Sequence, residues 1–176
     1  MTQDDAVGRG RPVHTLACHV PISEWQYYLI QPDQDPVVPD PSLSDGFVAT
    51  AGGGVFVTAA TESGGLSLTV EVHTTVPPVR LDAWEDVSEL SLQLSEAPLL
   101  VCGFGFVPVV RIPFDDDSAG AYRLRIHGTN RDLAHSRGPV PGEPEETHLI
   151  QLWRAADQPA LTLKQASAFS RMMRPR

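Results

Sequence analysis

The sequence contains little cysteine and no long apolar run, and each scarcity excludes a class of protein. The two cysteines of the 176 residues, Cys18 and Cys102, lie far apart, so neither a CxxC redox motif nor a close zinc-binding pair is present, and buried free thiols are expected. No apolar stretch approaches the roughly 20 residues that span a membrane. The chain begins Met-Thr-Gln-Asp-Asp-Ala, which lacks the cationic region of a secretion signal. The sequence therefore predicts a cytoplasmic protein that binds no membrane.

Positive charge is also scarce, and almost all of it is arginine. The chain has 13 basic and 22 acidic residues, with a formal net charge of -9. Nucleic acids and anionic membranes bind through clustered positive charge, so this balance argues against both and favours a basic protein partner. Lys164 is the single lysine and Asn130 the single asparagine, a bias typical of a GC-rich genome such as that of an actinobacterium.

Short β-rich runs with Gly and Pro between them dominate the rest of the chain. In Ala121–His127, apolar Tyr122, Leu124 and Ile126 alternate with polar residues, which predicts a strand with one buried and one solvated face. Leu66–Thr74 alternates in the same way. We expect an all-β fold, an antiparallel sandwich or barrel. We divide the chain into a disordered leader (1–12), a β-sandwich domain (13–156) and a C-terminal extension (157–176).

Two segments allow two interpretations, and a third predicts a helix. Val87–Leu94 fits either a helix or a strand, and we favour the strand. Gly52, Gly53 and Gly54 predict a tight hairpin rather than a phosphate-binding loop, because no Lys-Ser/Thr pair follows. Leu161–Met173 predicts a short C-terminal helix.

The polar face of the Ala121–His127 strand is a candidate ligand site. Arg123, Arg125 and His127 share that face, and Arg131 follows in a long loop over 128–146. Such a group can hold a carboxylate or a phosphate by charge-assisted hydrogen bonds. The alternative, which we favour, is that these arginines pair with neighbouring acids.

Aromatic side chains offer a second way of binding a ligand. On one strand Trp25 and Tyr27 would face together, so the pair could stack on a sugar or fill an interface. Core packing is the default for such large apolar groups.

Enzyme motifs are absent from the sequence. There is no HxH, HExxH or GxSxG motif, and no cofactor is predicted. If a metal site exists, it must assemble across strands, and His127 with His148 is the pair to inspect, with Glu145 or Glu146 as a third ligand. Scattered histidines without metal are the expected case, so a metal-assisted hydrolase ranks last.

Three local patterns also resemble a known family. They are the aromatic strand Glu24-Trp25-Gln26-Tyr27-Tyr28, the segment Gly46-Phe47-Val48-Ala49 leading into Gly53-Gly54, and Gly120-Ala121-Tyr122-Arg123-Leu124 answered by Leu149-Ile150-Gln151-Leu152-Trp153. The chain resembles a family of bacterial β-sandwich proteins and looks distantly like the ComJ group of competence-associated proteins, small acidic proteins that bind a DNA-entry nuclease. The resemblance covers about residues 13–155. It implies an inhibitor and brings no catalytic residue with it.

Charge and resemblance together predict a noncatalytic binding protein, an immunity-like or inhibitor-like module for a basic partner such as a nuclease. Its carboxylates would stand where the enzyme expects phosphates. The predicted contacts lie beside the late strand pair; they are Asp115, Asp116, Asp117, Glu143, Glu145 and Glu146. The alternative is a small-ligand or carbohydrate-binding protein that uses Trp25, Tyr27, Arg123, Arg125, His127 and Arg131. A homodimer through an exposed edge strand is a further possibility.

Overall fold

The described residues form eleven strands and two short helices. The structure is a computed structural model, and it describes residues 11–34, 38–114, 119–138 and 145–175. The strands, in chain order, are β1 (His14–Ser23), β2 (Gln26–Ile30), β3 (Val48–Ala51), β4 (Gly54–Thr58), β5 (Ser63–His73), β6 (Asp86–Leu94), β7 (Leu100–Cys102), β8 (Pro108–Arg111), β9 (Gly120–Thr129), β10 (Thr147–Arg154) and β11 (Leu161–Gln165). The helices are α1 (Arg131–Arg137) and α2 (Ala168–Met173), and 3-10 turns lie at Pro41–Leu43 and Phe104–Phe106. The β-rich class predicted from the sequence is confirmed.

The strands form one large curled sheet, a half-barrel, rather than the expected antiparallel sandwich. Their order is β11-β6-β9-β10-β5-β1-β2-β4-β3, with β7 pairing β2 and β8. β5 and β10 run parallel, with Ile150 opposite Val70, so the sheet is mixed. A parallel pair needs a long crossover, and here the chain between β5 and β10 supplies β6 to β9. Hairpin signals in a sequence cannot show such a pair.

The core lies on the inner face of the curled sheet. Leu66, Leu68, Val70 and Val72 of β5 are all buried there, as the alternation predicted. Tyr122, Leu124 and Ile126 of β9 are buried on the same face. Period-two alternation therefore identified the inward residues of both strands.

Asp45 bridges the two end strands of the sheet. Its Oδ1 accepts the backbone N–H groups of Phe47 and Val48, each at 2.9 Å, at the start of β3. Its Oδ2 accepts the hydroxyl of Ser88 on β6 at 2.5 Å and that of Thr162 on β11 at 3.0 Å. One carboxylate thus ties β3 to the β6–β11 edge. A homodimer through an edge strand stays a prediction.

Two hairpin turns, between β3 and β4 and between β1 and β2, contain residues with positive φ angles. Gly52 and Gly53 have positive φ angles in the β3–β4 turn, so the predicted hairpin is confirmed. Glu24 and Trp25, each with φ 57°, form the two-residue turn between β1 and β2. Both central residues of this turn class need positive φ, which is costly for residues with a Cβ atom. Trp25 therefore lies in a turn rather than on the strand that carries Tyr27.

The C-terminal region contains a strand as well as a helix. Leu161–Gln165 pairs with β6, so the helix expected over Leu161–Met173 is wrong in its first half and confirmed as α2 in its second. Ser167 caps α2 by accepting the N–H of Ser170 at 3.0 Å. Val87–Leu94 lies within β6, as favoured. Within the described ranges no helix has the length and apolar character needed to cross a membrane.

A glycine lets α2 pack against the start of β3. Gly46 has φ +90°, and a Cβ atom there would lie 2.1 Å from the carbonyl oxygen of Ser170. Gly105, with φ +71°, has no atom within 4 Å of the position that an added Cβ would take, so it is a matched control without the clash. Gly105→Ala should cost about 1–2 kcal/mol through the backbone alone. Gly46→Ala should cost about 1–3 kcal/mol more, because the backbone of α2 must also move. Urea unfolding of both variants tests this, and equal losses would contradict the packing argument.

Candidate functional site

A buried charged cluster closes one end of the inner face. At its centre is Arg131, the first residue of α1, which is fully buried. Its Nε lies 2.8 Å from Oδ2 of Asp86 on β6, and its Nη1 lies 2.9 Å from Oε1 of Glu146 before β10. Nη1 also donates to the Thr58 carbonyl, and Nη2 donates to Oγ of Ser170 on α2 at 3.1 Å. One guanidinium therefore joins the ends of four elements; we call this group, with His148, the Arg131 cluster.

Local sequence explains why Arg131 points inward. Asn130 has φ 60° and ψ 26°, a left-handed conformation that asparagine tolerates, and it turns the chain from β9 into α1. Gly128 leaves the space that the side chain fills, since a Cβ atom there would lie 2.8 Å from Cδ of Arg131. The Phe47 ring lies 4.3 Å from the guanidinium carbon. The Asn-Arg pair and the glycine before it thus place the charge over an aromatic face.

Glu146 is ionised inside the protein. Burial alone would raise the pKa of this carboxyl group, but the hydrogen bond from His148, the charge of Arg131 and the N–H of Ala60 hold it below its usual value. Its two oxygens also accept the N–H and the hydroxyl of Thr61, at 2.8 and 2.9 Å. The carboxylate thus has partners on every side and holds the chain just after β4.

His148 links the cluster to the core. Its Nε2 lies 2.8 Å from Oε1 of Glu146, and its Nδ1 lies 3.0 Å from the hydroxyl of Tyr27. Burial lowers the pKa of His148 despite the nearby carboxylate, which favours the neutral ring. Tyr27 then donates to Nδ1 while Nε2–H donates to Glu146. These hydrogen bonds join β2 to β10, and all three side chains are fully buried.

A row of hydrogen-bonded polar side chains, which we call the ladder, crosses the outer face of the central strands. Glu89, Arg125, Gln151 and Glu71 lie opposite one another on β6, β9, β10 and β5. Glu89 accepts Nε of Arg125 at 2.7 Å, Arg125 donates to Gln151 at 3.3 Å, and Gln151 donates to Glu71 at 2.8 Å. Arg123 also bonds Glu89, at 3.2 Å. Arg123 and Arg125 on this face thus pair with a neighbouring acid, which is the interpretation favoured from the sequence.

The outer face of β9 is nevertheless buried, which corrects the expectation of a solvated face. Segments that cross the sheet cover it: Arg125 donates to the carbonyl of Pro77 at 3.1 Å, and Arg123 donates to that of Gln158 at 3.0 Å. Both guanidinium groups are at most 2% exposed. Pairing with Glu89 allows the two arginines to be buried without an unpaired charge. The alternation of residues in a strand cannot show that segments from elsewhere in the chain cover its polar face.

Beside the ladder lies an open cleft of about 360 Å³, which we call the outer cleft. The residues around it are Pro12, Glu71, Pro78, Arg80, Ala83, Trp84, His127, Leu149 and Gln151. Trp84 forms one wall, and its ring centroid lies 5.1 Å from that of His127. Burial is the main cause that lowers the pKa of His127 to about 4, so the ring is neutral at pH 7. The outer cleft thus combines a neutral imidazole with an aromatic wall.

Three acidic residues, two of them exposed, lie at the end of the sheet near the β1–β2 turn. Glu24 and Glu62 are exposed on neighbouring turns, because Trp25 N–H donates to the Glu62 carbonyl at 3.2 Å. Glu145, half-buried and paired with Arg137, leads into β10 at the same end. We call Glu24, Glu62 and Glu145 the acidic end. Glu146 positions it, since that carboxylate holds the backbone just before Glu62.

Comparison with known proteins shows what this fold is similar to. No protein-family model matches the chain, and no curated protein matches it. Among solved structures, the chain is similar to ComJ from Bacillus subtilis, described as an inhibitor of the DNA-degrading activity of NucA, with a TM-score of 0.55 and 16% identity over 80% of this chain and 96% of ComJ. It is also similar to the crocagin biosynthetic gene J protein, with a TM-score of 0.51 and 12% identity over 81% of this chain and 98% of the other. The chain has a ComJ-like fold.

Of the six acidic contacts predicted from the sequence, Glu145 and Glu146 are within the described residues. Asp115, Asp116, Asp117 and Glu143 lie outside the described residues. Ala119, just before β9, and Glu145, before β10, are at opposite ends of an antiparallel pair of strands, about 30 Å apart for ten residues. Glu146 is fully buried, so its carboxylate serves the Arg131 cluster rather than the surface.

The residues predicted for ligand binding are also dispersed. Arg131 is buried in the Arg131 cluster, Tyr27 is buried next to it and bonded to His148, and Trp25 is in the β1–β2 turn. Arg123 and Arg125 bind Glu89 beneath the crossing segments. Of the predicted set, His127 lines the outer cleft.

The pair of histidines considered for a metal lies on opposite faces of the sheet. His127 is opposite Leu149, and His148 is opposite Gly128, so the two rings alternate across the sheet. The described part of the chain contains no group of three or more metal-binding side chains. The hypothesis of a shared metal between these two residues is therefore wrong.

Sequence reasoning missed three residues of these sites. Asp86 is buried beside Arg131, and Glu85 accepts the N–H of Arg131 at 2.8 Å. Trp84 forms a wall of the outer cleft. A signal was present for Asp86, because it is the first residue of a strand whose later residues include Val87, Leu90, Leu92 and Leu94.

Removal of Arg131 should strongly destabilise the fold. Arg131→Ala leaves Asp86 and Glu146 buried without their cation, and breaking a buried pair typically costs about 3–5 kcal/mol. The control is Arg137→Ala, an exposed member of the pair with Glu145, which should cost at most about 1 kcal/mol. Urea unfolding at pH 7 measures both. Similar losses for the two variants would show that the cluster does not hold the elements together.

Acid should reduce stability through His127. Its folded pKa of about 4 is below the unfolded value near 6.5, so the unfolded chain binds the proton first as the pH falls. Stability is lost from about pH 6.5 downward to about pH 4, and the change from pH 7 to pH 5 is about 2 kcal/mol for this ring. In His127→Gln that part of the pH dependence should disappear. An unchanged slope of the unfolding free energy against pH would contradict the assignment.

Proposed function

We propose that this protein is an inhibitor-like binding module for a basic protein partner, a nuclease. The observation that carries the proposal is the fold likeness to ComJ, which extends over 96% of that inhibitor. At 16% identity the likeness establishes the fold, so the choice of function also rests on the chemistry of this chain.

Charge supports the proposal. The chain carries a formal net charge of -9, which repels nucleic acid. The same charge attracts a protein whose basic surface binds nucleic acid. Complementary charge speeds association and suppresses wrong partners. A carboxylate surface can occupy the place that phosphates take in the nuclease.

The acidic end is the described surface that fits this role best. Glu24 projects from a turn with two positive φ angles, a strained backbone of the kind that clusters at functional sites. Glu62 lies on the adjoining turn, whose backbone Glu146 fixes from below. The carboxylates are therefore held on rigid turns, which lowers the entropy lost on binding.

Inhibition itself is tested first. The tagged chain isolates its partner from a lysate of the organism that encodes it at low and at moderate salt, and the DNA degradation of the isolated protein is then measured with and without an equimolar amount of chain. We expect a basic partner whose retention falls with salt and whose activity the chain abolishes. Unchanged DNA degradation at saturating chain would overturn the proposal.

Charge reversal locates the surface. Glu24→Lys and Glu62→Lys should each raise the concentration for half-inhibition by about tenfold or more, because like charges now meet across the interface. The matched controls are Glu96→Lys and Asp157→Lys, exposed acids at the opposite end of the sheet, which change net charge equally. They should change inhibition by about twofold or less. Equal effects in both sets would mean that net charge, rather than the acidic end, attracts the partner.

A further inference from the structure

The outer cleft lies apart from the acidic end and presents hydrogen-bond acceptors that the fold leaves unused. We propose that the outer cleft receives the guanidinium group of an arginine side chain of the partner protein. The identity of the partner that supplies the arginine rests on the proposed function. The chemistry of guanidinium binding rests on the residues of the cleft alone.

The first acceptor is the ring of His127. Its Nδ1 lies 3.1 Å from the carbonyl oxygen of Leu149, which can accept a hydrogen bond and donate none, so the proton sits on Nδ1. Nε2 is then a lone-pair acceptor. The ring is 1% exposed, and within the described residues its hydrogen bond is the one to Leu149. A buried ring with an unused acceptor at the edge of a cleft is suited to a donor ligand.

The second acceptor is the carboxylate of Glu71. Its Oε2 accepts Nε2 of Gln151 at 2.8 Å and lies 3.0 Å from Nε2 of His73. Its Oε1 has no hydrogen-bond partner among the described residues, and the side chain is 23% exposed. Glu89, the other carboxylate of the ladder, is occupied by Arg123 and Arg125. Glu71 is therefore the ladder carboxylate that meets the cleft.

The walls fit a flat cation on an apolar stem. Trp84 presents an indole face, over which a guanidinium stacks well. Leu149, Ala83 and Pro78 offer apolar surface along which the methylene groups of arginine can lie. A guanidinium has five donors and no acceptor, which matches the free acceptors of His127 and Glu71 in the lining.

One lining residue opposes a cation. Arg80 is exposed at the rim, where solvent and salt screen its charge. Removing the charge of Glu71 should weaken the binding of a cation, and removing the charge of Arg80 should strengthen it. For an anionic ligand both effects on the binding affinity would be reversed.

The experiment titrates N-acetyl-L-arginine amide into the full chain and follows the indole N–H of Trp84 and the ring of His127 by NMR. We expect saturable shifts at both residues with a Kd of about 1–10 mM, a range typical of one small group. N-acetyl-L-citrulline amide, which keeps the shape and lacks the charge, should bind at least about tenfold more weakly. Equal binding of the two compounds, or no shift at Trp84 with the arginine amide, would overturn the proposal.

Two charge variants complete the test. Glu71→Gln should weaken binding by about tenfold, the loss of one charge-assisted hydrogen bond of about 1.4 kcal/mol. Arg80→Gln, at an exposed position where folding is not at risk, should tighten binding by about two- to threefold, because it removes a like charge. Weaker binding by Arg80→Gln would indicate an anion site and overturn the proposal.

Failure of this inference is distinguishable from failure of the proposed function. If the arginine amide does not bind while the chain still inhibits its nuclease, the outer cleft is not an arginine receptor and the inhibitor function stands. If the amide binds as expected, Glu71→Gln should also raise the concentration for half-inhibition of the nuclease by about tenfold. An unchanged value would overturn the assignment of the cleft to the partner's arginine.

Discussion

The guanidinium of Arg131 is the interaction on which the rest of the structure depends. It contacts Asp86 on β6, Glu146 before β10 and Ser170 on α2, so three distant parts of the sequence meet at one charge. Two buried carboxylates and one cation leave a net negative charge when His148 is neutral. Hydroxyl and backbone donors compensate for it: Oδ2 of Asp86 accepts the hydroxyls of Ser167 and Ser170, and Glu146 accepts backbone N–H groups. Burial of these charges is tolerable because every oxygen has donors.

This internal network also shapes the surface. Glu146 accepts the N–H groups of Ala60 and Thr61, so the turn that carries Glu62 is fixed from inside the protein. Its neighbour Glu145 has the opposite environment, half-buried and paired with exposed Arg137. The two adjacent glutamates thus have different roles: Glu146 holds the turn in place, and Glu145 belongs to the acidic end at the surface. A sequence shows only two acidic residues in a row.

Sequence patterns predicted the local structure well and its long-range assembly poorly. The alternation in β5 and β9 identified inward residues, since strand geometry alone determines which side chains share a face. The parallel pairing of β5 with β10 and the bridge at Asp45 depend on contacts between residues far apart in the chain, which periodicity does not encode. His127 and His148 illustrate the limit: their positions suggested proximity, while the register places them on opposite faces.

Burial of both faces of the central strands restricts where a partner can bind. On β9, Leu124 packs in the inner core and Arg125 lies under a crossing segment, so neither face of this strand is open at its middle. Binding surfaces are left to the turns at the strand ends and to the gap that the crossing segments do not cover. The acidic end is of the first kind and the outer cleft is of the second. The ladder from Glu89 to Glu71 connects the buried part of this face to the cleft, and Glu71, its last carboxylate, is the member with an oxygen still available.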